Sequence, residues 1–232
     1  MPKPCFLRAL LTSALLLLAS SAALALPPTP RFWKPDIDKL VARDAIHPPP
    51  QHGVVFVGSS SIRFWTPTLQ TDFPGIPVID RGFGGSAIAD STYYADRIVI
   101  PYHPRVIVMY AGDNDVEEGL APSQVFVDFK AFVARVRRDL PKVAIIYISI
   151  KPSIARWSVW PQMHEANDKI AAWARTQPRI TFVDIAPKML EAQGKPDPRL
   201  FRKDGLHMRP AGYAIWVEAL KPVLAQYGFH AH

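Results

Sequence analysis

The pattern of apolar and polar residues along the chain predicts alternating strands and helices. Apolar runs of strand length lie at residues 54–57, 77–79, 105–110, 143–150 and 180–183. They are rich in Val and Ile with little alternation, which is typical of strands covered on both faces. Stretches with helical spacing of apolar residues lie at 87–100, 122–140, 163–176 and 211–227. This order predicts a doubly wound α/β domain, with a parallel sheet between two layers of helices.

The first residues have the pattern of a targeting segment. Lys3 and Arg8 precede a charge-free apolar stretch at 9–26, and Ala23 and Ala25 come shortly before two prolines. A basic start, an apolar middle and small residues before a cleavage point indicate a secretory signal peptide over residues 1–25. We therefore expect an exported bacterial protein, periplasmic or secreted, without a stable membrane span after cleavage. The alternative is an uncleaved membrane anchor, because the apolar stretch is nearly long enough to span a bilayer.

The remaining chain is divided into a leader and one domain. Residues 26–50 are rich in proline and carry one or two amphipathic turns around 37–45, and residues 51–232 have the length of a single domain. Cys5 is the only cysteine and lies within the signal. We therefore expect neither disulfides nor thiol chemistry in the mature protein.

Charge and motif content exclude several classes of function. The formal charge of +7 falls to +5 when Lys3 and Arg8 leave with the signal, and the remaining basic residues are mostly scattered. We expect no nucleic-acid partner from this pattern. The chain has no H-E-x-x-H motif and no P-loop, so we predict no metal and no cofactor.

Candidate catalytic groups follow three of the predicted strands. The first strand runs into GSSS at 58–61, the second is followed by GFGGS, which contains Gly85, and the third by GDND, which contains Asn114. Ligands bind beyond the carboxyl ends of parallel strands, so these groups should meet at one edge of the sheet. Each motif alone is more often a turn or a helix cap, but their succession favours a site with one hydroxyl and several neutral donors.

His207 is the histidine best placed to act as a base. It lies in KDGLHMRPAG, three residues after Asp204 and just before the last helix. In such a turn the carboxylate can hold the imidazole Nδ1–H while Nε2 faces a hydroxyl. The alternative is a loop histidine beside a capping aspartate.

These motifs, in this order, resemble those of the SGNH hydrolases, also called GDSL-like esterases and lipases. The resemblance covers essentially the whole mature chain. It implies a single three-layer α/β/α domain with a five-stranded parallel sheet, the flavodoxin-like SGNH fold, over residues 51–232. It also implies that Ser60 is the nucleophile, that His207 is the base oriented by Asp204, and that the Ser60 N–H, Gly85 and Asn114 form an oxyanion hole. The family's aspartate before the nucleophile is replaced by Ser59.

The resemblance predicts a serine esterase that hydrolyses short acyl esters, acetyl above all, through an acyl-enzyme. The ester substrate would be a small molecule or a glycan. Alternatives are a lysophospholipase or thioesterase-type lipase, a catalytically weak module that binds cell wall or polysaccharide, and a surface interaction protein that uses the leader. The α/β-hydrolase class requires G-x-S-x-G, and Ile62 stands where the second glycine would be.

Several residues beside the motifs are candidates for substrate binding. Arg63 follows the serines, and Lys151, Arg156, Trp157 and Trp160 follow the fourth strand. Aromatic rings beside a cleft can stack on sugars or hold a chain, and arginine can bind polar groups. The alternative is that the tryptophans form a core lid with Arg156 on its surface.

Overall fold

The computed structural model describes Met1 and residues 32–231. Apart from Met1, the predicted signal peptide with its cleavage site and Cys5 lies outside the described residues, as does the first part of the Pro-rich leader. Within residues 32–231 the strands form one five-stranded parallel sheet in the order β2-β1-β3-β4-β5. The strands are β1 (Val54–Gly58), β2 (Val78–Gly82), β3 (Val106–Tyr110), β4 (Ala144–Ile148) and β5 (Ile180–Val183).

The two faces of the sheet bury different side chains of the same strands. In β1, Val55 and Val57 join one hydrophobic core, while Val54 and Phe56 join the other. Successive side chains of a strand point to opposite faces, so a continuous apolar run fills both cores. This is why the strands of this sheet lack an alternating pattern.

Helices cover both faces, which confirms the predicted three-layer α/β/α fold. Those in the described chain are α1 (Lys34–Ile46), α2 (Ser60–Arg63), α3 (Thr66–Asp72), α4 (Ile88–Tyr93), α5 (Ala95–Ile98), α6 (Asp113–Glu117), α7 (Pro122–Asp139), α8 (Trp160–Ala174) and α9 (Pro210–Gln226). The core on one face includes residues of α1, α4, α5, α7 and α8. The core on the other face includes residues of α2, α3 and α9.

Helix α7 shows how the sequence sets an element and its bounds. Pro122 occupies the first turn, where its missing N–H costs nothing, and Pro141 follows the end. Val125, Phe129 and Val136 are among the residues that the helix buries at helical spacing. Each buried side chain of this size contributes about 1.5–3 kcal/mol relative to an exposed one.

The stretch predicted as one helix at 87–100 is divided. The chain leaves helical geometry at Tyr94 (φ −91°, ψ 5°) and again at Val99 (φ −128°, ψ −59°). Tyr94 packs edge-on against Phe83 and is buried in the core. The break between α4 and α5 therefore coincides with the packing of Tyr94 in the core. The spacing of apolar residues does not predict such a break.

The leader contributes a full helix to the fold. Helix α1 has 13 residues, more than the one or two turns predicted around 37–45, and it buries Ile37. Asp44 pairs with the buried Arg81 of β2 at 2.7 Å and accepts a hydrogen bond from the Tyr102 hydroxyl at 2.5 Å. Arg97 pairs with Asp38 at 2.8 Å. These contacts fix α1 against β2, at the edge of the sheet, and against α5 and the turn that follows it.

Candidate functional site

The turn after β1 places Ser60 beyond the carboxyl end of the sheet. Gly58 has φ +136°, and a Cβ there would lie 1.8 Å from the carbonyl oxygen of Tyr110. Only glycine fits this close approach of two strands. Ser59 is extended, and Ser60 then begins α2. The N–H of Ser60 therefore lies in the first turn of α2, where backbone donors have no partner within the helix.

Ser60, His207 and Asp204 form a continuous chain of polar contacts. Ser60 Oγ lies 3.0 Å from His207 Nε2, and His207 Nδ1 lies 2.8 Å from Asp204 Oδ2. Ser60 and His207 are separated by 147 positions in sequence, so the fold brings them together. This arrangement lets the imidazole accept a proton from the serine hydroxyl while the carboxylate holds the other ring nitrogen.

The His207 loop holds Asp204 as a carboxylate. Burial acts to raise the pKa of Asp204, but hydrogen bonds from the His207 ring and from the N–H groups of Leu206 and His207 outweigh it and lower the pKa to about 2. Both backbone donors lie 2.9 Å from Asp204 Oδ1. Asp204 is therefore ionised at neutral pH and stabilises a positive charge on the imidazole.

The serines on either side of Ser60 face the interior. Ser59 is 0% and Ser61 1% exposed, and neither hydroxyl has a hydrogen-bond partner among the described residues. Ser61 instead accepts a hydrogen bond at its carbonyl from the Tyr213 hydroxyl at 2.8 Å. Of the three hydroxyls, only that of Ser60 is in contact with His207.

Asn114 is held with its amide nitrogen directed towards the loop that follows β2. Nδ2 donates to the Ser86 carbonyl at 2.9 Å, which leaves its second hydrogen without a partner among the described residues. Oδ1 accepts from Arg156 Nη2 at 2.8 Å. Because Oδ1 is occupied by a donor, the orientation of the amide is fixed, and the free Nδ2 hydrogen can serve an oxyanion.

Gly85 lies in the same loop. Its φ is +78°, a conformation that favours glycine. A Cβ at this position would lie 3.0 Å from Cη2 of Trp33, so the indole packs against the bare backbone. The turn can therefore present N–H groups next to Ser86, to whose carbonyl Asn114 is bonded.

A cluster of buried charged side chains lies next to Asn114. Lys151 Nζ contacts Asp113 Oδ2 and the Tyr110 hydroxyl, both at 2.9 Å, and Arg156 Nη1 lies 3.3 Å from the same carboxylate oxygen. Burial acts to raise the pKa of Asp113, but the charges of Lys151 and Arg156 outweigh it and keep the pKa below its usual value. Lys151 is only 1% exposed, so the expectation that it lines the cleft is wrong: its ammonium is paired inside the protein.

The comparison with family models decides the relationship of the chain to known proteins. Residues 52–215 match the model of the GDSL-like Lipase/Acylhydrolase family. The chain belongs to this family. As a GDSL-like acylhydrolase it is an enzyme that hydrolyses ester bonds. No curated protein sequence matches the chain.

Solved structures share the fold of this acylhydrolase. A GDSL-like lipase from Bacteroides thetaiotaomicron superposes with a TM-score of 0.72 at 22% identity, over 82% of this chain and 98% of the other. An acetyl-xylooligosaccharide esterase from Geobacillus gives 0.60 at 19%, over 78% and 96%. A carbohydrate esterase of family 3 from Talaromyces cellulolyticus gives 0.58 at 18%, over 75% and 96%.

The predicted substrate-binding residues lie on two separate segments of the chain. Arg63 is exposed at the end of α2, near the ring of Phe64, which packs edge-on against His207. Trp157 stacks on Trp160 with ring centroids 6.0 Å apart. Both rings are half-buried at the start of α8. Their segment adjoins the histidine loop, because the N–H of Ala155 donates to the carbonyl of Gly205 at 3.1 Å.

Two further features bear on cofactors and membranes. In the described part of the chain no three His, Cys, Asp or Glu side chains are grouped as a metal site would require. Among residues 32–231, no helix combines the length and the apolar character needed to cross a bilayer.

Proposed function

We propose that the protein is a serine esterase that removes short acyl groups, acetyl above all, through an acyl-enzyme on Ser60. The observation that carries this proposal is the contact chain from Ser60 through His207 to Asp204, at 3.0 and 2.8 Å. These distances are within hydrogen-bond reach for a nucleophile, its general base and the group that orients the base.

In the proposed reaction the Ser60 hydroxyl gives its proton to His207 Nε2 as Oγ attacks the ester carbonyl. Negative charge then develops on the carbonyl oxygen. The N–H of Ser60, the N–H of Gly85 and the free Nδ2 hydrogen of Asn114 are the proposed donors to it. His207 next protonates the leaving alcohol. A water molecule, deprotonated by the same imidazole, then attacks the acyl-enzyme and releases the acid.

The surroundings of the site support a short acyl group. A cavity beside the Ser60 segment is lined partly by charged side chains, among them Asp36, Lys39, Arg43 and Asp80. This cavity is therefore not an apolar channel for a long alkyl chain, and each CH₂ left unburied forfeits about 0.8 kcal/mol of binding. Trp33 also packs on the backbone of Gly85.

A sugar ring on the alcohol side of the substrate is proposed to stack along Trp157 and Trp160. The two rings form a stack that a sugar could extend, and two structural neighbours are a carbohydrate esterase and an acetyl-xylooligosaccharide esterase. An acetylated carbohydrate is therefore the proposed natural substrate class.

Hydrolysis of para-nitrophenyl acetate tests the proposal. The purified protein should turn over this ester, and a quenched reaction should show an acetyl group on the peptide that contains Ser60. Ser60→Ala is the matched control and should show neither. A wild-type protein without turnover would instead support the binding module or the interaction protein.

We also propose that the protein is exported after removal of residues 1–25. The support is the basic start, the apolar stretch and the Ala23 and Ala25 pair. The intact mass of the protein from a periplasmic or culture fraction should correspond to a chain that begins near Leu26. Recovery of the full chain from membranes would indicate an anchor instead.

A further inference from the structure

A cavity of about 310 Å³ lies between α1 and the segment that contains Ser60. Its lining includes Lys39 and Arg43 on one side and Arg63 on the other. The cavity is close to the nucleophile: a Cβ built on Gly84 would lie 3.0 Å from Arg63 Nη1 and 3.9 Å from Ser60 Cβ. A group bound at Arg63 would therefore be a neighbour of the reacting atoms.

The cations of this cavity are poorly neutralised. Within residues 32–231 the side chains of Lys39 and Arg63 have no hydrogen bond or ion pair, and Arg43 makes one long contact, 3.4 Å, to the carbonyl of Asp80. Arginine and lysine side chains without partners at the rim of a cavity can bind an anion, and the guanidinium fork matches a carboxylate or a phosphate.

Two carboxyl groups also line the cavity, Asp36 and Asp80. That of Asp80 is already engaged by the Thr66 hydroxyl and by the N–H of Gly82, and burial raises its pKa. Three cations therefore face two carboxyl groups, one of which is half-buried and already accepts hydrogen bonds from protein donors.

The wall that carries two of the cations is fixed in place. Helix α1 is attached to β2 by the Asp44–Arg81 ion pair and to α5 by the Asp38–Arg97 ion pair. It precedes residues 52–215, the segment that matches the family model. The attachment of α1 keeps the backbone of Lys39 and Arg43 beside the cavity, so only their side chains lose entropy when a ligand binds.

We propose that this cavity is an anion subsite of the esterase, formed by Lys39, Arg43 and Arg63. It binds a carboxylate or phosphate carried by the alcohol part of the substrate. The alcohol part is assigned because a short acyl group such as acetyl has no room for a second charged group. This inference rests on the proposed esterase function.

Three matched acetate esters test the subsite: para-acetoxybenzoate, para-acetoxyphenyl phosphate and the neutral para-acetoxybenzamide. The wild type should have the higher kcat/KM on one or both anionic esters, and added salt should reduce that preference. Preference for the carboxylate or for the phosphate identifies the anion. Equal kcat/KM on all three esters would contradict the proposal.

Variants locate the preference in this cavity. Arg63→Gln and the double variant Lys39→Gln/Arg43→Gln should each lower the ratio of anionic to neutral kcat/KM by about tenfold, as expected when a charge-assisted contact is lost. Lys221→Gln removes an exposed charge on α9 and should keep the wild-type ratio. An unchanged ratio in the cavity variants, or an equal fall in Lys221→Gln, would overturn the subsite. Absence of turnover on all three esters would overturn the esterase function itself and the subsite with it.

Discussion

The guanidinium of Arg156 donates to Asn114 Oδ1 at 2.8 Å, across 42 positions of sequence. Asn114 Nδ2 is therefore directed away from Arg156, towards Ser86 and the proposed oxyanion position. Arg156 is itself held by the Asp113 carboxylate at 3.3 Å. We infer that Arg156 is a positioning residue, which acts on the reaction through the Asn114 amide.

A double-mutant cycle tests this relationship. Asn114→Ala should lower kcat by about 10²–10³-fold, because it removes a donor to the developing charge. Arg156→Met should lower kcat by about tenfold with little change in KM. In the Asn114→Ala background the same Arg156 substitution should have almost no effect, which corresponds to a coupling energy of about 1–2 kcal/mol. Additive effects would show that Arg156 acts independently of Asn114.

The three serines should differ sharply in their contribution to activity. Ser60→Ala should lower kcat by about 10³-fold or more, because it removes the atom that attacks the ester. Ser59→Ala and Ser61→Ala are the matched controls, since their buried hydroxyls have no hydrogen-bond partner in the described chain and their loss costs little. Initial rates on a chromogenic acetate measure all three. An inactive Ser59→Ala with an active Ser60→Ala would contradict the assignment.

Asp204→Asn should impair catalysis without disrupting the loop. The asparagine oxygen can still accept from the N–H groups of Leu206 and His207, but its NH₂ would face His207 Nδ1. The imidazole would then carry its proton on Nε2 and could not accept one from Ser60. We expect kcat to fall by about 10⁴-fold, as in other triads.

Asp197→Asn is the matched control for this change. Asp197 also accepts a hydrogen bond from a backbone N–H two residues later, that of Arg199, but it lies outside the proposed site. Its substitution should leave the rate unchanged. A wild-type rate for Asp204→Asn would show that Asp204 does not orient the base.

Asp115 should make the stability of the protein depend on pH. Burial raises its pKa to about 7, although the N–H of Ile88 donates to it at 3.1 Å. In the unfolded chain the carboxyl has an ordinary pKa of 3.8. The folded state therefore binds one more proton between about pH 4 and about pH 7, so the contribution of Asp115 to stability falls as pH rises through that window.

Denaturant unfolding of Asp115→Asn and of the wild type at several pH values measures the contribution of Asp115 to stability. The variant cannot ionise, so its free energy of unfolding relative to wild type should rise by up to about 4 kcal/mol between about pH 4 and about pH 7. Asp113 and Asp204 have lowered pKa values, and their contributions are lost as pH falls, but they are common to both proteins and cancel. A difference that does not change with pH would contradict the buried neutral carboxyl.

The length of the acyl chain separates an esterase from a lipase. Acetyl, butyryl, octanoyl and palmitoyl esters of one alcohol should show the highest kcat/KM for acetyl, because the cavity beside Ser60 is lined partly by charged side chains. A steady increase towards palmitoyl would contradict this expectation and favour the lysophospholipase or thioesterase-type alternative.

The sequence by itself determined the sheet and the order of the motifs. Apolar runs of Val and Ile marked all five strands of the described sheet, because strands buried on both faces require apolar residues at every position. Proline and apolar spacing marked α7 to within one residue of its end. Glycine and polar residues after the strands marked the edge at which Ser60, Gly85 and Asn114 are found.

Only the tertiary structure decided which polar groups face each other. Ser59, Ser60 and Ser61 are three identical residues in a row, and burial together with the contact to His207 distinguishes them in the structure. The bond from Arg156 to Asn114 and the attachment of α1 at Arg81 join residues far apart in the chain. The spacing of apolar residues predicts which side of a single helix or strand is buried. Contacts between distant residues depend instead on where separate segments lie once the whole sheet has formed.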